Sequence, residues 1–435
     1  MLRQRRRSTR LIPSPRTPDV LEIEDGFVVA TGIECSAPRI LGGARLDELR
    51  KTGHWDRRDE DIALVAGFGI RHLRYGIPFH VVDHDPAARD WAWTDAAMLS
   101  LNRHGIEPIV DLLHFGVPDD LGGVGDPSLP DRFARYADAF ARRYPWVRYY
   151  TPVNEPLVCA VFSAGLGLWN ERRSDDASLV AAIDALSASQ ALGMEAIRQH
   201  RSDAVFIGSD ACEVYSAVEP AAEPVAAFLN ERRFVAWELA YGRTPGRAVL
   251  GWLMRHGMTD ARLAWFEETG SDRGCIVGLD YYRGNEWRVA ADGRTQWARR
   301  RRGFARLARE YHEHLLLPFM LSETNLEGPM SQRWLAEVWD DALRLREDGL
   351  PIRGVCWYGF VDHVDWDSAL TRDRGRVNHC GLVGIDRQAH AWGETYRSLA
   401  QSAAAGRLDR LGSATSRRYR REDAEAAAVK PEVAA

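Results

Sequence analysis

Eight short apolar runs punctuate this chain, and between them the spacing of apolar residues turns helical; no other property of the sequence restricts its fold so sharply. The runs cover residues 27–33, 70–75, 108–114, 147–153, 204–208, 275–282, 317–323 and 354–358. They are rich in Val, Ile, Leu and Tyr and bounded by turn residues, which is the signature of buried strands. Helical spacing holds at 61–68, 93–104, 131–144, 178–200 and 331–348, with Phe133, Tyr136, Ala137 and Phe140 on one stripe. Strands separated by helices cannot close as hairpins and must pair in parallel through crossovers. Eight of them predict a closed (β/α)8 barrel, an α/β fold of one domain, with a helical insertion at 215–270.

In such a barrel the loops after the strands carry the chemistry. The fourth run ends in Thr151-Pro152-Val153-Asn154-Glu155-Pro156, and the seventh in Leu321-Ser322-Glu323-Thr324-Asn325. Strands four and seven lie on opposite sides of the mouth, so their glutamates would face one another across a pocket. A strand-ending glutamate can also cap the helix that follows it. Two facing carboxyls, however, are what glycosidic cleavage needs: one protonates the leaving oxygen, the other attacks or activates water.

Composition sets the surroundings. At 435 residues, 45% of them hydrophobic, the chain can bury a large core, and a formal net charge of −5 gives no reason to expect nucleic acid or an anionic membrane as partner. The runs Arg299 to Arg302 and Arg172-Arg173 read as solvated faces. No stretch approaches 18 consecutive apolar residues, and the basic segment Arg3 to Arg10 has no apolar run behind it, so a cytoplasmic protein is expected. The six cysteines show no paired spacing, which predicts reduced, buried thiols, not a disulfide frame or zinc site. Residues 1–20 read as a basic disordered arm, 21–408 as the barrel, and 409–435 as a flexible or helical tail. Oligomeric state is not written in the sequence.

From about residue 27 to 400 the chain resembles family 1 of the glycoside hydrolases, the retaining β-glucosidases and β-galactosidases with glutamates on strands four and seven. Leu73-Arg74-Tyr75-Gly76-Ile77 is similar to the family's strand-two arginine motif, and Gly105-Ile106-Glu107-Pro108 through His114 to its strand-three block. Thr151 to Pro156 matches its Asn-Glu-Pro motif. Gly278-Leu279-Asp280-Tyr281-Tyr282, Ser322-Glu323-Thr324-Asn325 and Asp362-His363-Val364-Asp365-Trp366 resemble three further motifs, in family order.

The resemblance implies a retaining β-glycosidase without metal or organic cofactor. Glu155 would be the acid/base and Glu323 the nucleophile, held ionised by Arg74 and the Tyr282 hydroxyl. Asn154 would bond the sugar 2-hydroxyl, His114 another hydroxyl, Trp357 would stack on the ring, and Glu34, Asp365 and Trp366 would complete sugar binding. A transglycosylase and a non-catalytic carbohydrate-binding barrel are the alternatives.

Several positions depart from the family pattern. Asp280 replaces an asparagine, Phe115 a tryptophan, and Asp365 the glutamate that grips the outer hydroxyls. These changes predict a non-standard glycone, and the charge of Asp365 argues against a phosphate there.

Overall fold

The computed structural model describes residues 23–24 and 26–412. The expected arm at 1–20 and the tail beyond 412 lie outside the described residues, while residues 409–412 lie against a barrel helix, with Trp339 Nε1 donating to the Asp409 carbonyl at 2.9 Å.

The eight strands close into a parallel barrel: β1 (Val28–Ile33), β2 (His72–Gly76), β3 (Glu107–Leu113), β4 (Tyr149–Val153), β5 (Val205–Ala211), β6 (Cys275–Asp280), β7 (Phe319–Glu323) and β8 (Ile352–Tyr358). Each pairs with its sequence neighbours, and β1 closes the ring on β8 through Val28 opposite Gly354 and Gly32 opposite Tyr358. The α/β barrel predicted from the alternation of runs is therefore the fold.

Strand alternation divides the core in two. Val28, Ala30, Ile109, Tyr149, Val205, Ile207, Ile276, Met320 and Cys356 fill the lumen, while their neighbours face the helices and build the larger outer core. In the helix Leu129–Arg143 the predicted stripe of Phe133, Tyr136, Ala137 and Phe140 is buried. Full burial of one such aromatic side chain contributes about 2–3 kcal/mol.

This helix packs against Asp176–His200, where a Cβ on Gly193 would stand 2.6 Å from the Phe133 ring; the glycine admits the close approach. By length and composition Asp176–His200 could cross a membrane, but most of its apolar surface is buried inside the fold.

The insertion after β5 is not wholly helical. It opens with a strand, Val214–Ala217, which pairs with Glu286–Val289 and through it with Thr295–Trp297. Four helices from Glu223 to Thr269 follow.

Candidate active site

Carried upward, the parity that points Ile109, Ile207, Ile276 and Cys356 into the lumen places Asp111, Ser209, Asp280 and Tyr358 in a polar layer above the apolar plug. A register shift between Leu321 and Glu323, opposite Leu279 and Asp280, adds one residue to β7. The bulge lets both Ser322 and Glu323 reach this layer.

Arg74 of β2 is its hub and is 1% exposed. Its Nε donates to Asp111 Oδ2 at 2.9 Å, Nη1 to Glu323 Oε1 at 2.6 Å, and Nη2 to Asn154 Oδ1. Since Asn154 Oδ1 accepts from arginine, its Nδ2 is the group that donates to His114 Nε2, at 3.0 Å. His114 is thereby fixed with its proton on Nδ1, 3.2 Å from Asp111 Oδ2. The second oxygen of Glu323 accepts the Tyr282 hydroxyl at 2.7 Å. Burial pushes the Tyr282 phenol up, so it stays a donor.

The two glutamates sit in opposite surroundings. Among the described residues no cation or hydrogen-bond donor meets the Glu155 carboxyl, and its backbone is held at φ 40°, an uncommon conformation for a non-glycine residue. Burial, then the charges of Glu323, Asp280 and Asp210, push its pKa well above the ordinary carboxylate value. Glu323 is also raised, first by burial and then by Asp280, but Arg74 and Tyr282 pull against that rise. Arg74 and Tyr282 thus favour the charge on Glu323, and nothing of the kind favours it on Glu155.

Asp280 accepts hydroxyl protons from Ser209 and, at 2.6 Å, from Ser322, and its Oδ1 lies 3.9 Å from Arg74 Nη1. Burial raises its pKa.

The structure joins Arg74, His114, Asn154, Tyr282 and Glu323 in one hydrogen-bond network, leaves Glu155 outside it but within the field of Glu323, and sets Glu34 and Trp366 around His363, at 3.8 Å from its Nε2 and 6.1 Å from its ring. It also corrects three expected roles. Trp357 does not face the mouth: it is fully buried against the helix layer, its Nε1 bonded to the Cys380 carbonyl at 2.9 Å and its ring 6.4 Å from Tyr396. Alternation in β8 gives the inward place to Tyr358, whose ring is 5.3 Å from the Arg74 guanidinium and stacked 5.9 Å from His114. Gly32 makes room for that ring, since a Cβ there would stand 2.0 Å from it.

Asp365 is spent on its own loop. It is fully buried, accepts the backbone N–H groups of Arg374, Gly375 and Arg376 at 2.9–3.0 Å, and pairs with Lys51 at 3.1 Å. Neither its reach nor its charge bears on an outer hydroxyl. His114, with both ring nitrogens committed to protein partners, orients Asn154 and has no free nitrogen for a sugar hydroxyl.

Asp111, Tyr358 and His363 also line the site, and the sequence motifs did not single them out. An aspartate in the middle of an apolar strand was the available signal for the first, and strand parity for the second.

Among the described residues two groups hold potential metal ligands close together: Cys35 with Asp111 and His114, and Asp362 with His379 and His390. In the first, burial pushes the thiol up and Asp111 is engaged by Arg74, so its donors suit a hydrogen-bond network. In the second, Asp362 accepts from His379 at 2.7 Å and His390 at 3.0 Å.

The family model for glycosyl hydrolase family 1 matches residues 47–240, which include Arg74, His114, Asn154 and Glu155. β-Glucosidase 4 of Oryza sativa subsp. japonica is 32% identical over 139 residues, covering 30% of this chain and 28% of that protein. A 6-phospho-β-galactosidase of Lacticaseibacillus casei (strain BL23) is 32% identical over 114 residues, 25% of this chain and 24% of the relative. The match thus spans under a third of either relative.

The likeness of fold is broader. A family 1 β-glucosidase from Thermotoga maritima superposes with a TM-score of 0.72 at 16% identity, over 87% of this chain and 98% of that one. Residues 47–240 thus match the model of glycosyl hydrolase family 1, and the barrel that carries them shares the fold of the Thermotoga maritima β-glucosidase.

Proposed function

We propose that the protein is a retaining β-glycosidase in which Glu323 attacks the anomeric carbon and Glu155 serves first as acid, then as base. The observation that supports this most is the contrast between the two carboxyls: Glu323 is clamped by Arg74 and Tyr282, while Glu155 meets no cation. A nucleophile must be ionised and a general acid protonated at the same pH, and such unequal surroundings provide both.

In the first step Glu155 gives its proton to the leaving oxygen as a Glu323 oxygen bonds to the anomeric carbon. Glu323 then becomes an ester and loses its charge, and with that charge goes the field that kept Glu155 protonated. Glu155 can therefore accept a proton from water as water displaces the ester. Tyr282 and Arg74 lie against the oxygens of Glu323 and steady the carboxylate as attacker and as leaving group. Asn154, oriented by Arg74 and His114, keeps one Nδ2 proton for a sugar hydroxyl, a bond that strengthens as the ring approaches an oxocarbenium ion.

Proton NMR of the first-formed sugar tests the mechanism. Cleavage of an aryl β-glycoside should release the β-anomer before mutarotation; release of the α-anomer would exclude the double displacement.

A further inference from the structure

Glu34 follows β1 at the barrel mouth and is 3% exposed. One of its oxygens accepts the Ser36 N–H at 2.8 Å. The other has His363 Nε2 at 3.8 Å as its nearest chargeable neighbour, and among the described residues no arginine or lysine pairs with it. His363 does not supply the missing charge, because burial pushes its pKa down and leaves the imidazole neutral.

His363 Nε2 is itself buried without a hydrogen-bond partner, and so is Nε1 of Trp366, whose ring centre lies 6.1 Å from that of His363. Of the other carboxylates around the mouth, Asp111 and Glu323 share Arg74, and Asp365 takes Lys51. A buried carboxyl without a cation, 3.8 Å from an imidazole nitrogen that itself lacks a partner, is a costly arrangement that a ligand would complete.

We propose that Glu34, His363 and Trp366 form the outer end of the sugar subsite and that the glycone carries an ammonium group there. The ammonium donates to the free oxygen of Glu34 and to the lone pair of His363 Nε2 in its Nδ1–H tautomer, and Trp366 Nε1 donates to a neighbouring hydroxyl. A phosphorylated or uronic glycone meets the charge of Glu34 and is rejected, a discrimination that Asp365, already neutralised by Lys51, does not make. The location of the subsite rests on the β-glycosidase reading above; its charge preference does not.

The test is calorimetric binding to the full-length protein, independent of turnover, at a pH where the amine is protonated. Methyl β-D-glucoside is compared with its analogues bearing an amino group at C3, C4 or C6. At least one amino sugar should bind about tenfold or more tighter than the glucoside, as a charge-assisted hydrogen bond implies. Glu34→Gln keeps the shape and the Ser36 contact but removes the charge, and should abolish or reverse the preference. Equal or tighter binding of the glucoside to the wild type overturns the proposal, as does a preference that survives in Glu34→Gln. An amino preference without turnover of any β-glycoside would leave this subsite standing and remove the proposed reaction.

Discussion

Replacing Asp280 by asparagine should move the whole pH–activity profile toward acid. Its carboxyl is fully buried, 3.9 Å from Arg74 Nη1, and contributes to raising the pKa of both Glu155 and Glu323. A unit charge about 5 Å from a carboxyl, at an effective dielectric constant of about 20, contributes about 3 kcal/mol, or about two pKa units. Because burial also raises Asp280 and so favours its neutral form, a shift smaller than this is expected.

The sign follows from removing a negative charge: each neighbouring carboxyl becomes easier to ionise. The acid limb, where Glu323 must lose its proton, and the alkaline limb, where Glu155 must keep its own, both move down. Asparagine can still bond Ser209 and Ser322, so the fold should persist. The assay is kcat/KM against pH for an aryl β-glycoside in wild type and Asp280→Asn. Limbs that stay in place would show that Asp280 is neutral throughout the active range, and the electrostatic account of the pair would fail.

Three other perturbations separate the roles of neighbouring residues. Glu155→Gln should lower kcat/KM by about 10²- to 10⁴-fold for a poor leaving group and far less for a dinitrophenolate, which needs no proton; equal losses across a leaving-group series would contradict the acid role. Tyr282→Phe removes a hydrogen bond that favours ionised Glu323, so the acid limb should rise toward neutral pH while far-UV circular dichroism stays constant. Trp357→Phe loses a buried hydrogen bond and packing in the helix layer, so it should cost about 1–3 kcal/mol in chemical denaturation and leave KM unchanged; a raised KM would return Trp357 to the sugar site.

The barrel was legible because strand and helix periods differ and alternate eight times. Glu155 and Glu323 were legible for the same reason, as each closes an apolar run. What failed was reading side-chain direction from motif spacing alone. Trp357 and Tyr358 are adjacent and both aromatic, and only the parity set by Cys356 in the lumen decides which one looks inward. Asp365 failed differently: its three backbone partners come from residues 374–376, a loop closure that no local pattern announces. His114 and Asn154 lie side by side, but which of their atoms remain free depends on Arg74, a residue on another strand.

The central claim is that Glu323 forms a covalent glycosyl-enzyme intermediate, and intact-mass measurement after incubation with 2-fluoro activated β-glycosides, amino-substituted analogues included, tests it most directly. Wild type should gain the mass of one fluoroglycosyl group, peptide mapping should place it on Glu323, and Glu323→Gln should remain unlabelled. An adduct on another residue, or none with a sugar shown to bind, would contradict the assignment of Glu323 as nucleophile.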